Sequence, residues 1–217
     1  DKAQGQGRLE YADHEVYEGD WLDGRAHGEG TYKASDGSEY IGQWQDDKPH
    51  GKGREVRQDG STFEGKFSNG LKYGQGILNF ADGSQYEGEF KNNFFHGAGV
   101  FVWHDGSRYE GQWRNNERSG QGCFTVADGG TYTGQYEASK KHGKGIFRWN
   151  DGRWYEGSWR QGKQHGHGTK GTPDGKTVTG IWEDGYRVEP RGAPEASQAS
   201  QGARGSKSSA SSSVPAA

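Results

Sequence analysis

The segment Gly166-His167-Gly168-Thr169-Lys170-Gly171 fits the G-x-G-x-x-G spacing with which a loop presents backbone amides to a dinucleotide pyrophosphate. That chemistry needs a strand before the loop and a helix after it. Here Pro173-Asp174-Gly175 follows, where no helix can start. Gly157 to Lys163 has the spacing of a phosphate loop, but Gln164 stands where a Ser or Thr must hold magnesium. Five of the eight histidines, His27, His50, His96, His142 and His165, are metal ligands by type. They recur at one fixed interval, which on stacked two-strand units sets them about 9–10 Å apart. That is too far to share an ion at bond lengths of about 2 Å, so they read as packing residues. The aspartates of the recurring Asp-Gly pairs read as turn formers, not as paired catalytic acids. No Ser, Cys or Lys has a unique neighbour suited to act as its base. The sequence therefore assigns no catalytic residue, no cofactor and no metal, and the chain reads as non-enzymatic.

What makes these patterns is repetition. The segment Tyr17-Glu18-Gly19-Asp20-Trp21 returns as Tyr40-Ile41-Gly42-Gln43-Trp44 and Phe63-Glu64-Gly65-Lys66-Phe67, then at Tyr86, Tyr109, Tyr132 and Tyr155, ending as Val178-Thr179-Gly180-Ile181-Trp182. Every interval is 23 residues. A Gly-x-Gly pair follows in phase, from Gly28/Gly30 to Gly166/Gly168, and an Asp-Gly pair follows that, from Asp36 to Asp174. Such a period marks a stacked array of small units.

Composition agrees. The 217 residues carry a net charge of −3, which gives no global attraction to nucleic acid, and none is expected as a partner. Hydrophobic residues make up only 28% of the chain, yet 40 glycines accompany 8 Trp, 11 Tyr and 9 Phe. No apolar run approaches the ~20 residues of a membrane-spanning helix, and no signal peptide opens the sequence. One cysteine permits no internal disulfide. These features set the expectation of an intracellular protein.

Alternation places Tyr17, Gly19 and Trp21 on one face of a strand, with Glu18 and Asp20 on the other. In the following strand it places Gly28, Gly30 and Tyr32 together, and likewise Gly97, Gly99, Phe101 and Trp103. Asp-Gly between such runs signals a tight turn, because glycine accepts positive φ. Each unit is thus expected to be a β-hairpin whose rings lie flat across the glycines of a neighbouring strand. A lone hairpin is marginal, so the units must stack into one antiparallel sheet, about 75 Å long for eight units. The predicted fold is all-β, an elongated single-layer sheet: a partial repeat over 1–16 (second strand only), an array over 17–185, and a disordered Ser/Ala/Gly/Pro-rich tail over 186–217.

The recurring aromatic-x-Gly-x-aromatic, His-Gly-x-Gly and Asp-Gly signals resemble the MORN repeat family over about residues 5 to 185. The resemblance implies a scaffold that docks partner proteins of a large assembly on an aromatic groove. Among proteins of this kind the chain most resembles the MORN-type radial spoke head proteins of cilia and flagella, because it is little more than MORN units with a low-complexity flank and shows no kinase or methyltransferase segment. That implies an axonemal, cytoskeletal location. The alternative it implies is a phospholipid-binding module at a membrane.

Three departures from repetition nominate partner-binding residues. The segment before His-Gly is read as a loop and is mostly basic, with Arg25, Lys48, Lys72, Arg118, Lys140, Lys141 and Lys163 forming a candidate edge for weak binding of anionic phospholipid or an acidic partner. In the fourth unit the same segment holds Phe94-Phe95, an interaction anchor unless one ring folds over the sheet. On the face opposite the aromatics, the middle units carry Ile77, Val100, Cys123 and Ile146, read as a stripe for a partner or a second copy. Open sheet edges at both ends offer a further route to self-association.

Overall fold

Strict periodicity becomes strict geometry. The computed structural model describes residues 2–188, which form one open sheet of 17 strands with no helix. After β1 (Gly5–Glu10) come first strands of seven residues: β2 (Val16–Leu22), β4 (Glu39–Gln45), β6 (Thr62–Ser68), β8 (Gln85–Lys91), β10 (Arg108–Arg114), β12 (Thr131–Glu137), β14 (Trp154–Arg160) and β16 (Thr177–Glu183). They alternate with second strands of nine: β3 (Arg25–Lys33), β5 (Lys48–Val56), β7 (Leu71–Asn79), β9 (Phe94–Val102), β11 (Glu117–Thr125), β13 (Lys140–Arg148) and β15 (Lys163–Gly171). Each strand pairs antiparallel with its neighbours in sequence. The final first strand does have a partner, the short β17 (Tyr186–Val188), so the array runs three residues into the span expected to be tail. The rest of that span lies outside the described residues.

The ring-on-glycine expectation holds at atomic detail. Gly19 of β2 faces Gly30 of β3, and a Cβ added at Gly30 would fall 2.4 Å from the Tyr17 hydroxyl. One added at Gly19 would sit 2.4 Å from Gly30 Cα. The tyrosine ring therefore lies across a strip of bare backbone, and its hydroxyl donates to Asp20 O at 2.9 Å. Tyr40, Tyr86, Tyr109, Tyr132 and Tyr155 repeat that bond at 2.8–3.1 Å. Burial pushes the Tyr17, Tyr109 and Tyr155 hydroxyls up to about 12. In three units the next aromatic is a tryptophan that ties the unit to the one before: Trp44, Trp113 and Trp159 donate Nε1 to Gly30, Gly99 and Gly145 O at 3.0–3.1 Å.

Gly-x-Gly departs from simple alternation. Only its second glycine faces a ring. Gly28 has φ 62°, and a Cβ there would meet the Asp20 carboxylate on the opposite face. The cause is a β-bulge: Gly19 pairs with Gly30, but Asp20 pairs with His27, which leaves Gly28 and Glu29 as an excursion. Glycine accepts the left-handed backbone there. In most units a first-strand side chain closes the bulge by accepting the stranded amide. Asp20 does so for Glu29 N, Gln43 for Lys52 N, Glu89 for Ala98 N, Gln112 for Gln121 N and Gln135 for Lys144 N.

Two kinds of turn link the strands. The Asp-Gly turns are Asx-stabilised: Asp36, Asp59, Asp82 and Asp105 each accept the amide two residues on, which holds those carboxyls below their usual range. The others are two-residue turns with both φ positive, as at Asn115 (50°) and Asn116 (67°), the twist a hairpin favours. Asn93 and Asn116 also accept Lys72 N and Phe95 N of the preceding unit, so turns staple units together.

Candidate docking face

The aromatic face has two layers. Its floor, Tyr17, Tyr40, Phe63, Tyr86, Tyr109, Tyr132 and Tyr155 with the Trp, Phe or Tyr four residues after most of them, is buried. Above it lies a half-buried row contributed by the second strands and the start of the Asp-Gly turns. Phe80, Phe101, Trp103 and Phe124 run in contact, with successive centroids 5.5, 4.5 and 5.5 Å apart. Phe147 and Trp149 continue it at 4.7 Å. Between Phe124 and Phe147 stand two cations. Arg118 lies 5.4 Å from both the Phe124 and Tyr136 centroids, and Lys141 Nζ lies 4.1 Å from Phe147, 5.0 Å from Trp159 and 5.1 Å from Tyr132. Burial among the rings, with Arg118 nearby, pulls the Lys141 ammonium down to about 8.

The basic set thus divides, and its segment is strand rather than loop. Arg25, Lys48, Lys140 and Lys163 are the first residues of their strands and are exposed. Lys72, Arg118 and Lys141 are second residues and turn inward onto the aromatics. The Lys72 side chain is 5% exposed and pairs with Glu55. A continuous basic edge does not form, because Leu71, Phe94 and Glu117 occupy the exposed phase in the middle units. The phenylalanine pair divides the same way. Phe95 stacks on Tyr86 with centroids 3.7 Å apart and planes within 14°, as part of the floor, while Phe94 remains 46% exposed.

The apolar row opposite does not form a continuous stripe. Across the sheet Ile77 sits between Glu64 and Glu87, Val100 between Glu87 and Glu110, Cys123 between Glu110 and Thr133, and Ile146 between Thr133 and Glu156. Carboxylates interrupt it at nearly every step. The two nucleotide-like patterns are hairpin: Gly166 to Gly171 lies within β15, and Gly157 to Lys163 spans β14, its turn and the start of β15. The in-phase histidines precede the bulge, with Nδ1 of His50, His96 and His165 buried and unpartnered. Among the described residues no three His, Cys, Asp or Glu stand together as a metal site. Nor, among the described residues, is any helix long and apolar enough to cross a membrane.

Sequence reasoning missed Phe80, Phe124, Phe147 and Trp149 as an upper layer. The signal was available: these rings recur at two fixed phases, which Phe101 and Trp103 share, and Tyr32 already holds the first of them in the first unit. The MORN repeat model matches seven successive segments, 17–39, 40–62, 63–85, 86–108, 109–131, 132–152 and 155–177. The chain belongs to the MORN-repeat family. MORN repeats are non-enzymatic modules that contact proteins or phospholipids. No curated protein matches the chain. Among solved structures it is similar to the G-box domain of the microcephaly protein CPAP (11% identity, TM-score 0.48, covering 82% of this chain and 93% of that one). It is also similar to the TCP10 domain of Danio rerio CPAP (11%, 0.46, 81% and 83%) and to the Drosophila melanogaster SAS-4 TCP domain bound to a proline-rich motif of Ana2 (11%, 0.39, 80% and 88%). Likeness at this level carries no functional argument.

Proposed function

We propose that this MORN array is a non-catalytic scaffold that docks partner proteins along its aromatic face within a large assembly. The observation that carries the reading is the half-buried row Phe80, Phe101, Trp103 and Phe124. These rings already contact one another yet keep one side uncovered, and a partner covering them gains about 25 cal/mol per Å² of apolar surface. The finer reading is a structural component of the ciliary or flagellar axoneme, of the radial spoke head type. It rests on the resemblance to the MORN-type radial spoke head proteins noted in the sequence. Phospholipid binding is supported less, because only Arg25, Lys48, Lys140 and Lys163 of the basic set are exposed, and Arg25 already pairs with Asp46.

The test is affinity capture from solubilised axonemes, read by mass spectrometry, with the intact chain and with Trp103→Ser plus Phe124→Ser. The expected outcome is a defined set of axonemal proteins whose recovery falls about tenfold on the variant, whose own melting is little changed. Equal recovery refutes the aromatic face as the docking surface. A parallel liposome sedimentation assay separates the phospholipid reading, which requires anionic lipid and loses binding in salt.

A further inference from the structure

The cations of the aromatic face meet different fates in different units. In the third unit Lys72 is neutralised within the chain: its Nζ holds the Glu55 carboxylate while lying 4.8 Å from the Phe63 centroid and 5.6 Å from that of Phe67. Glu55 precedes Lys72 by 17 residues. At that same offset from Arg118 and Lys141 stand Phe101 and Phe124, so the internal carboxylate is missing. Among the described residues neither cation forms an ion pair. Arg118 donates to Ser139 O at 2.9 Å, and Lys141 is held by rings. Both line one cavity of about 340 Å³, with Lys140 beside them and Phe124, Phe147 and Tyr136 as walls, and no acidic residue lines it.

We propose that this cavity is an anion-recognition subsite, which seats an Asp or Glu side chain of a partner protein between Arg118 and Lys141 with an apolar neighbour of that residue against Phe124 and Phe147. The inference rests on the docking reading above and names the partner's chemistry. Two unneutralised cations in a poorly hydrated aromatic setting are costly until a carboxylate arrives, and the charge-assisted bonds it then makes are the strong ones. Lys72 with Glu55 is the intramolecular form of the same contact. A peptide segment fits better than a bilayer, because the two cations lie down among rings whereas a flat surface meets the exposed lysines first. The chain's own residues 189–217 are a poor occupant by charge, with Arg191, Arg204 and Lys207 against Glu189 and Glu195.

The experiment selects a random dodecapeptide display library against the full chain and against Arg118→Gln with Lys141→Met, in which methionine keeps the volume of the lysine stem. Peptides from the wild-type selection are expected to be enriched in Asp or Glu beside an aromatic or aliphatic residue. The best of them, synthesised, is expected to lose about tenfold in affinity on the variant, and as much when its own acid is made the amide. Peptides without acidic enrichment, or enrichment that survives the double substitution, overturn the subsite and leave the docking face standing. Recovery of no peptide at all counts against both. Binding of phosphatidylserine-doped phosphatidylcholine vesicles that depends on Arg118 and Lys141 reassigns the cations to lipid and overturns it too. A second readout is the 13C titration of the Lys141 ε-carbon, expected near 8 in the free chain and moving up when the acidic peptide binds. An ordinary lysine value already in the free chain means a carboxylate of the chain itself fills the site, which refutes the proposal.

Discussion

Gly111→Ala isolates the contact on which the sheet depends. Gly111 of β10 faces Gly122 of β11 beneath the Tyr109 ring. A Cβ there would lie 2.5 Å from Gly122 Cα, 2.6 Å from Gln121 O and 2.6 Å from the Tyr109 hydroxyl. Carbon atoms pack at about 3.5–4.0 Å, so the strands must part by about 1 Å or the ring must leave. Parting breaks ladder bonds on either side of the glycine pair. Leaving exposes a ring that is 0% accessible and forfeits its bond to Gln112 O at 3.1 Å. Removing a buried aromatic costs about 3–5 kcal/mol, and either route reaches that range. For a chain of this size the loss lowers Tm by about 6–20 °C. Units in a stacked array interact mainly with their neighbours, so the damage should be local. The assay is a thermal melt followed by tryptophan fluorescence, with amide hydrogen exchange to locate the opening. Protection should fall in β10 and β11 and persist in β2 and β3. A variant melting within about 2 °C of wild type refutes the ring-on-glycine account.

Three further outcomes follow from single contacts. Gly130→Ser should stabilise by about 0.5–1.5 kcal/mol in a urea melt: Ser84 and Ser107 at the equivalent position accept His104 N and Ala127 N of the next unit, and Gly130 leaves that bond unmade. Phe95→Ser should cost about 3 kcal/mol or more while Phe94→Ser costs under about 1, because only Phe95 stacks on Tyr86, and equal costs contradict the division of the pair. The alkaline profile has a worked sign. Burial pulls Lys141 down to about 8 in the folded chain, against an ordinary 10.5 unfolded, so the unfolded chain binds more protons between those values and stability rises there with pH. The buried tyrosines, raised from 10.0 to about 12, act oppositely, since the unfolded chain ionises first and stability falls above pH 10. Denaturant melts across that range should show a rise and then a collapse in wild type, with the rise absent in Lys141→Met.

Much of the fold was legible because the sequence repeats without insertion. Eight occurrences of one pentad fix the strands, and glycine opposite glycine under an aromatic fixes the register: no other residue leaves room, as Gly19 and Gly30 show. The bulge was less legible. Period-2 alternation puts Gly28 and Gly30 on one face, and nothing in a glycine distinguishes a bare strip under a ring from a left-handed excursion. The companion signal lies on the other strand, where an Asp, Gln or Glu at positions 20, 43, 89, 112 and 135 supplies the closing acceptor. Lys66 and Ser158 break that series.

The site was hidden by reading the residues before His-Gly as loop. The excursion absorbs two residues, an even number, so parity is restored beyond it: Asp20 pairs with His27, and Trp21 with Ala26. Position 26 and its equivalents therefore face the aromatics. Those equivalents are Ala26, Pro49, Lys72, Phe95, Arg118, Lys141 and Gln164. The paired glycines under each floor ring are held to glycine by the clash distances above, but this slot sits past the bulge, where no ring crosses the backbone. Like the slot of Glu55, Leu78 and Phe101, it is a place where one unit can differ from the next without disturbing the stack. Ala26 is buried there, Phe95 fills the slot by stacking, and Lys72 is answered by Glu55. Arg118 and Lys141 occupy adjacent slots, share one cavity and among the described residues have no carboxylate to meet, which is why recognition by this face should be decided there rather than at the exposed edge.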